Sequence, residues 1–159
     1  MSQYKPLIMD SGQIRQLGGG DQLEGSKVRA WLQTPQPALV ARTNTKVLLD
    51  TVQFDALNEF DIGASRFVAR NSGYYFAKGS LTLNNSGTGA NVKTGNAYLY
   101  VNGMCVSAFQ IQGSYDNPIV SDLLYLNQDD YLELWCALTQ IGNVTVSQLY
   151  TYLSVFRVF

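Results

Sequence analysis

The sequence predicts an all-β protein, and three observations support this class. The 159 residues include ten tyrosines and seven phenylalanines among many valines, threonines and asparagines, a mixture that favours pleated strands joined by tight turns. No apolar stripe of helical period continues over three turns. Turn-forming pairs such as Asn102-Gly103 recur at short intervals between apolar runs. The pattern is typical of a sandwich or barrel of short strands.

The chain divides into three zones by composition. Residues 1–33 hold short apolar stretches separated by glycines, so we expect an extended arm that buries little surface by itself. Within it, residues 28–32 are compatible with one turn of helix. Residues 34–37 read Thr-Pro-Gln-Pro and predict a stiff linker, because proline fixes φ and pushes its predecessor out of the helical region. Residues 38–159 form the predicted strand-rich domain.

Three segments of this domain are apolar on both faces. In residues 131–138 the period of two places leucines and Cys136 on one face, and Tyr131 and Trp135 on the other. Residues 74–83 and 150–158 show a similar pattern. A two-layer sandwich covers only one face of each sheet, so such strands need a second cover. Oligomerisation is the simplest cover, and the sequence therefore predicts an oligomer.

Charge and missing residue types argue against several functions. Eleven basic and 12 acidic residues give a formal net charge of -1, which does not favour nucleic-acid or membrane-surface binding. The absence of histidine removes the usual general base, the common nucleophile pairs and the commonest transition-metal ligand. We therefore expect no enzymatic activity and no cofactor. The apolar runs are short and the first six residues lack a signal pattern, so neither a transmembrane helix nor a signal peptide is expected.

Several short motifs suggest chemistry but fit it poorly. Residues 20–27 have the glycine spacing of a phosphate-binding loop, but the lysine and serine stand in the wrong order. Asp129 and Asp130 are neighbours beside a strand, where a turn fits better than a convergent catalytic pair. Calcium binding stays open, although no EF-hand spacing is present. We expect Cys105 and Cys136 to be free buried thiols, and their pairing also stays open.

Two polar loops are candidates for ligand contact. Residues 84–95 and 112–118 are interrupted by glycines and can vary without disturbing a sandwich core. Tyr115 offers a stacking face, and Asp116 and Asn117 offer hydrogen-bonding groups, which together suit weak recognition of a polysaccharide or receptor. An ordinary surface tyrosine is the alternative interpretation of Tyr115.

Motifs from residue 47 onward occur in a recognisable order. They are Val-Gln-Phe-Asp at 52–55, Arg-Phe-Val-Ala at 66–69, Ser-Gly-Tyr-Tyr-Phe at 72–76, Tyr-Val-Asn-Gly at 100–103 and Tyr-Leu-Ser-Val-Phe-Arg-Val at 152–158. In this order they resemble the tumour-necrosis-factor-like jelly roll, most closely its complement globular-head branch. The chain departs from the family pattern at Arg70, where a proline is expected, and at Asp129, where a glycine is usual.

This resemblance implies a jelly-roll β-sandwich that assembles as a homotrimer, with one sheet of each subunit packed around a threefold axis. That sheet is expected to contain the strands at 74–83, 131–138 and 150–158. The expected interface side chains are Tyr75, Tyr131, Trp135, Tyr150, Tyr152 and Phe156.

The arm carries a second resemblance. Its residues 8–17 and the Gly-Asp-Gln-Leu at 20–23 are similar to the opening of bacteriophage tail-fibre and other virion surface proteins. This implies that residues 1–33 attach to a capsid or tail protein. The domain would then project from the virion surface as a short head fibre or capsid decoration, after assembly in the host cytoplasm.

Several other functions fit the same sequence. One is a tail-fibre receptor-binding protein, and another is a bacterial adhesion module of the complement-head type. A carbohydrate-active enzyme on a β scaffold is a further possibility. The domain is also compatible with a projection that binds no ligand and only stiffens or shields the virion.

Overall fold

The computed structural model describes residues 7–10, 13–16, 25–39, 42–85, 95–110, 117–138, 144–147 and 150–158. Every regular element in these ranges is a β-strand, which confirms the predicted all-β class. The strands are β1 (Leu7–Asp10), β2 (Gln13–Gln16), β3 (Lys27–Trp31), β4 (Gln36–Leu39), β5 (Thr45–Lys46), β6 (Thr51–Asp55), β7 (Phe60–Asp61), β8 (Arg66–Val68), β9 (Gly73–Ser80), β10 (Leu83–Asn85), β11 (Gly95–Val101), β12 (Met104–Gln110), β13 (Ile119–Leu126), β14 (Tyr131–Leu138), β15 (Val144–Val146) and β16 (Tyr152–Arg157). Among the described residues no helix is long and apolar enough to cross a membrane.

Two antiparallel sheets form the sandwich. The five-stranded sheet has the order β13-β9-β16-β3-β6, and the six-stranded sheet has the order β12-β11-β14-β8-β7 with β5 beside β14. The strands β10, β15 and β4 make a smaller sheet, and β1 pairs with β2. Phe67, Tyr75, Leu134 and Leu153 belong to the core, where alternate residues of the strands are fully buried.

The Asn102-Gly103 pair forms a turn, as the sequence predicts. Asn102 and Gly103 have φ of 50° and 78° between β11 and β12, as a type I′ hairpin requires. At the neighbouring β13–β14 turn, the Asp130 carboxylate accepts hydrogen bonds from Asn102 Nδ2 (2.8 Å) and the Asn127 backbone N–H (2.7 Å). The bond from the Asn102 side chain contributes most to holding the pKa of Asp130 below its usual value, and the bond from the Asn127 backbone adds to it.

The structure corrects the start of the jelly roll. Residues 27–31 form β3, which lies between β16 and β6, and not a turn of helix in a separate arm. Val28 and Ala30 are buried because alternate side chains of β3 face the other sheet. Residues 36–39 pair with β15, so the predicted linker is partly strand. The predicted boundary at residue 33 is therefore wrong.

The predicted loop and thiols are each right in part. The residues of the predicted loop at positions 84, 85 and 95 belong to β10 and β11, while residues 86–94 lie outside the described chain. Cys136 is a free buried thiol as predicted, and burial raises its pKa to about 12. Cys105 is free but exposed, because β12 is the edge strand of its sheet.

The three segments that are apolar on both faces do not share one sheet. β9 pairs with β16 in the five-stranded sheet, whereas β14 pairs with β11 in the six-stranded sheet. The prediction of one trimer sheet that holds all three strands is therefore wrong. The outer side chains of β14 have partners within the same chain: Trp135 stacks on Tyr100 at 4.9 Å between ring centroids, and the Arg66 guanidinium lies 4.8 Å from the Tyr131 ring.

Candidate functional site

The outer face of the five-stranded sheet exposes large apolar side chains, and we call it the apolar face. Its members are Trp31, Phe54, Tyr74, Phe76, Ile119, Leu123, Tyr125, Tyr152 and Phe156. Tyr125 is 55% exposed, Leu123 51% and Phe156 46%. Monomeric soluble proteins rarely expose contiguous apolar surface of this kind, and where it occurs it marks an interaction site.

Strand register makes the apolar face continuous. Leu123 on β13 lies opposite Phe76 on β9, which in turn lies opposite Phe156 on β16. The Phe76 and Phe156 rings are 5.3 Å apart between centroids, and Tyr74 meets Tyr125 edge to face at 5.2 Å. Aromatic residues therefore form a band across three neighbouring strands.

Cationic side chains interrupt this band. Lys27 and Arg29 on β3 and Lys78 on β9 point to the same side as Phe156, because their register partners on β16 do. The Arg29 guanidinium lies 4.0 Å from the centroid of the Tyr152 ring, a cation–π contact. An occupant of the apolar face must therefore offer hydrogen-bond acceptors or negative charge in addition to apolar surface.

A cavity of about 320 Å³ opens at one side of the apolar face. The exposed side chains of Phe54 and Phe156 supply apolar wall, and the cavity also contacts Ser154. The Ser154 Oγ atom is buried and has no hydrogen-bond partner within the described chain. A buried hydroxyl without a partner is costly, so a polar group that entered the cavity and bonded to it would remove that cost.

A second apolar surface lies at the edge of the sandwich. The edge strand β12 exposes Met104, Val106 and Phe109, and it packs beside the edge strand β13 of the other sheet. This surface differs from the apolar face in composition, because it lacks the tyrosines and tryptophan of that face. A single chain thus carries two unlike apolar surfaces.

The structure sorts the predicted interface residues into different environments. Tyr152 and Phe156 lie on the apolar face, and Tyr150 is exposed just before β16 with a φ of 60°. Tyr75 is wrong as an interface residue: it is fully buried inside the subunit, 5.5 Å from Phe67 between ring centroids. The alternation separates Tyr75 from Tyr74 and Phe76, but it does not say which side is the core.

The outer side chains of β14 form a polar network that the sequence did not reveal. Lys46 Nζ donates to Glu133 Oε1 at 2.5 Å and to the carbonyl oxygen of Ala64 at 2.5 Å. Trp135 Nε1 donates to the other oxygen of the same carboxylate, Oε2, at 2.9 Å. Lys46 lies beside Trp135 because β14 pairs with β5 in a register that places these two residues opposite each other. Tyr131 and Trp135 therefore lie on the sheet opposite the apolar face.

The predicted receptor residues are only partly described. Tyr115 and Asp116 lie outside the described residues, so their role stays a prediction. Asn117 is exposed, and its Oδ1 accepts a hydrogen bond from Thr82 Oγ1 at 2.8 Å. Within the described ranges, no group of three His, Cys, Asp or Glu side chains could hold a metal ion.

Neither a family model nor a curated protein matches the sequence. Solved structures match the fold. The globular domain of zebrafish complement 1qA has a TM-score of 0.60 at 14% identity, covering 86% of this chain and 98% of that chain. Murine APRIL, crystallised at pH 8.0, has a TM-score of 0.62 at 12% identity, covering 84% and 98%. The fold is a tumour-necrosis-factor-like jelly roll.

In this tumour-necrosis-factor-like jelly roll, the sandwich presents three surfaces of different composition. The apolar face and the β12 edge expose apolar side chains, and the outer face of the six-stranded sheet is polar and aromatic. All three surfaces are formed mainly by strands of the two packed sheets.

Proposed function

We propose that the protein is a homotrimeric head on the surface of a bacteriophage virion, a short head fibre or capsid decoration. The segment before β3 would attach to a capsid or tail protein. The observation that carries the trimer is the apolar face, with Phe156, Leu123 and Tyr125 about half exposed in the single subunit. Burial of such side chains is the main favourable term in protein association.

A second copy of the chain is the occupant that fits the apolar face. The β12–β13 edge of one subunit offers exposed apolar side chains, and the half-buried Asp122 on β13 adds a carboxylate. The apolar face of the next subunit offers Lys27 at its cavity. Contact between two unlike surfaces is heterologous and repeats around a ring until the ring closes. The family resemblance seen in the sequence implies closure at three.

The virion role is supported by the segment before the jelly roll. Its sequence at residues 8–23 is similar to the opening of virion surface proteins, and β1 and β2 form a two-stranded sheet of their own. A small element outside the sandwich is suited to attachment to a partner.

An adhesion module of the complement-head type is the second candidate function. The likeness to the zebrafish complement 1qA globular domain favours it, because that likeness covers 86% of this chain. Both candidates share the trimeric head, and they differ in what the N-terminal segment joins.

Light scattering on the full chain and two variants tests the trimer. We expect three subunits for the native protein at micromolar concentration and monomers for Phe156→Asp, because the variant would place a charge in the contact. The matched control is Ile62→Asp, since Ile62 is 52% exposed in the turn after β7, on the other sheet. A monomeric native protein, or equal loss of assembly in both variants, would contradict the proposal.

Immunogold electron microscopy of purified particles tests the location. We expect gold on the virion surface, and loss of label when residues 1–24 are deleted while the remaining head still scatters as a trimer. Label on the bacterial envelope instead of on particles would favour the adhesion module.

A further inference from the structure

We propose that the outer face of the six-stranded sheet binds a neutral oligosaccharide on an aromatic ridge made of Tyr98, Tyr100 and Trp135. The Tyr98 and Tyr100 rings are 6.3 Å apart and nearly perpendicular, and the Tyr100 and Trp135 rings stack at 4.9 Å. Each of the three side chains is half-buried, so part of its ring surface is exposed to solvent. The C–H groups of a sugar ring pack well on aromatic surface of this kind.

Two asparagine side chains orient the tyrosine hydroxyl groups of the ridge. Asn44 Nδ2 donates to the Tyr100 hydroxyl and Asn96 Nδ2 donates to the Tyr98 hydroxyl, each at 2.7 Å. Since each phenol oxygen accepts one amide hydrogen bond, its own proton is available for a ligand oxygen. Asn96 Oδ1 is a buried acceptor with no donor in the described part of the chain. Sugar hydroxyls both donate and accept, which matches these groups.

The charges beside the ridge compensate each other. Glu133 Oε1 pairs with Lys46 Nζ at 2.5 Å, and its Oε2 holds the Trp135 indole N–H at 2.9 Å. The carboxylate therefore orients the tryptophan while its own charge is neutralised. A ridge with this local balance favours a neutral ligand over phosphate or nucleic acid.

The position of the ridge argues for a sugar rather than a peptide. Tyr98 and Tyr100 lie on β11, which is paired with β12 on one side and β14 on the other. Extended peptides bind sheets by adding a strand at an edge, where main-chain groups are unpaired. The ridge lies on strands that are paired on both sides, and an oligosaccharide needs no unpaired main-chain groups.

The inference deepens the attachment role of the proposed head and rests on it for its biological setting. The ridge lies on the sheet opposite the apolar face, so it would face outward in the trimer. Three ridges would raise the effective affinity by multivalency. All of the ridge side chains belong to one subunit, so the trimer and the ridge can be tested separately.

The test is a titration of the full chain with neutral tetrasaccharides of glucose, galactose, mannose and N-acetylglucosamine. Tryptophan fluorescence and equilibrium dialysis measure the binding. We expect at least one to bind saturably. Trp135→Ala should weaken that binding about five- to tenfold, the worth of one aromatic contact. Trp135→Phe should restore most of it. Tyr100→Phe keeps the ring and removes only the hydroxyl, so it should weaken binding about threefold.

The control is Trp31→Ala, which removes the other tryptophan from the apolar face. It should leave sugar affinity per subunit unchanged even if it reduces assembly, which light scattering measures in parallel. Binding by a folded Trp135→Ala protein as tight as native, binding of charged sugars alone, or capture of peptides with no sugar bound would overturn the inference. A trimer that binds no sugar overturns the ridge alone, whereas a monomer that binds sugar overturns the trimer alone.

Discussion

Neutralising Glu133 should destabilise the six-stranded sheet by a measurable amount. Glu133→Gln keeps the shape of the side chain and removes the charge that faces Lys46. The exposed fractions of the two side chains are 9% for Glu133 and 22% for Lys46, so water replaces the lost interaction only in part. Removing one partner costs about 3–5 kcal/mol in a buried pair and about 0–1 kcal/mol in an exposed pair. This partly buried pair should therefore lose about 2 kcal/mol.

Urea unfolding followed by circular dichroism, at one fixed protein concentration, measures this loss. The concentration is fixed because assembly contributes to apparent stability. Lys46→Met should cost a similar amount, since it leaves the Glu133 carboxylate without its cation. The double variant should cost clearly less than the two single losses together. A loss below about 0.5 kcal/mol for Glu133→Gln, or additive losses in the double variant, would refute the reasoning.

Three further predictions concern pH, packing and thiol reactivity. Because the pKa of Asp130 is lowered on folding, its contribution is complete above the unfolded value of about 3.9 and is lost as pH falls through the folded value. Asp130→Asn should thus flatten the loss of the urea midpoint below pH 4; an unchanged pH slope would contradict this. Gly79→Ala would place a methyl group 2.3 Å from Leu134 Cδ1 and should cost about 1–3 kcal/mol in urea unfolding. Gly63→Ala, with a nearest contact of 3.5 Å, is its control and should match the native protein. Ellman's reagent at pH 8 should modify Cys105 alone in the folded protein, because burial raises the pKa of Cys136 to about 12; reaction of both thiols before unfolding would be the contrary result.

The fold was predictable because its signals are local. Alternation on residues 152–157 and the Asn102-Gly103 turn depend on neighbouring residues, and the structure confirms both. It was less predictable which face of each strand points into the core. Tyr75 and Tyr74 alternate correctly, yet both are tyrosines, and composition gives no sign that Tyr75 is the one in the core.

The outer cover of β14 depends on distant residues. Lys46 is separated from Glu133 by 87 positions, and Tyr100 reaches Trp135 only through the register of β11 with β14. A single sequence shows that Trp135 stands opposite the leucines of its strand, but not that this subunit supplies its cover. For this reason the sequence assigned Trp135 to a contact between subunits, and the structure shows it beside Tyr100.

The position of β3 between two other strands determines how the head would resist a pull on the segment before it. Backbone hydrogen bonds hold β3 between β16 and β6, and at its start Arg157 N–H donates to the Ser26 carbonyl oxygen at 3.0 Å. Ladder bonds lie perpendicular to the strands, so a pull along β3 from its N-terminal side strains many of them together. Peeling an edge strand breaks them one after another. A head attached through the segment before β3 would therefore load these hydrogen bonds together, in shear, instead of peeling them one by one.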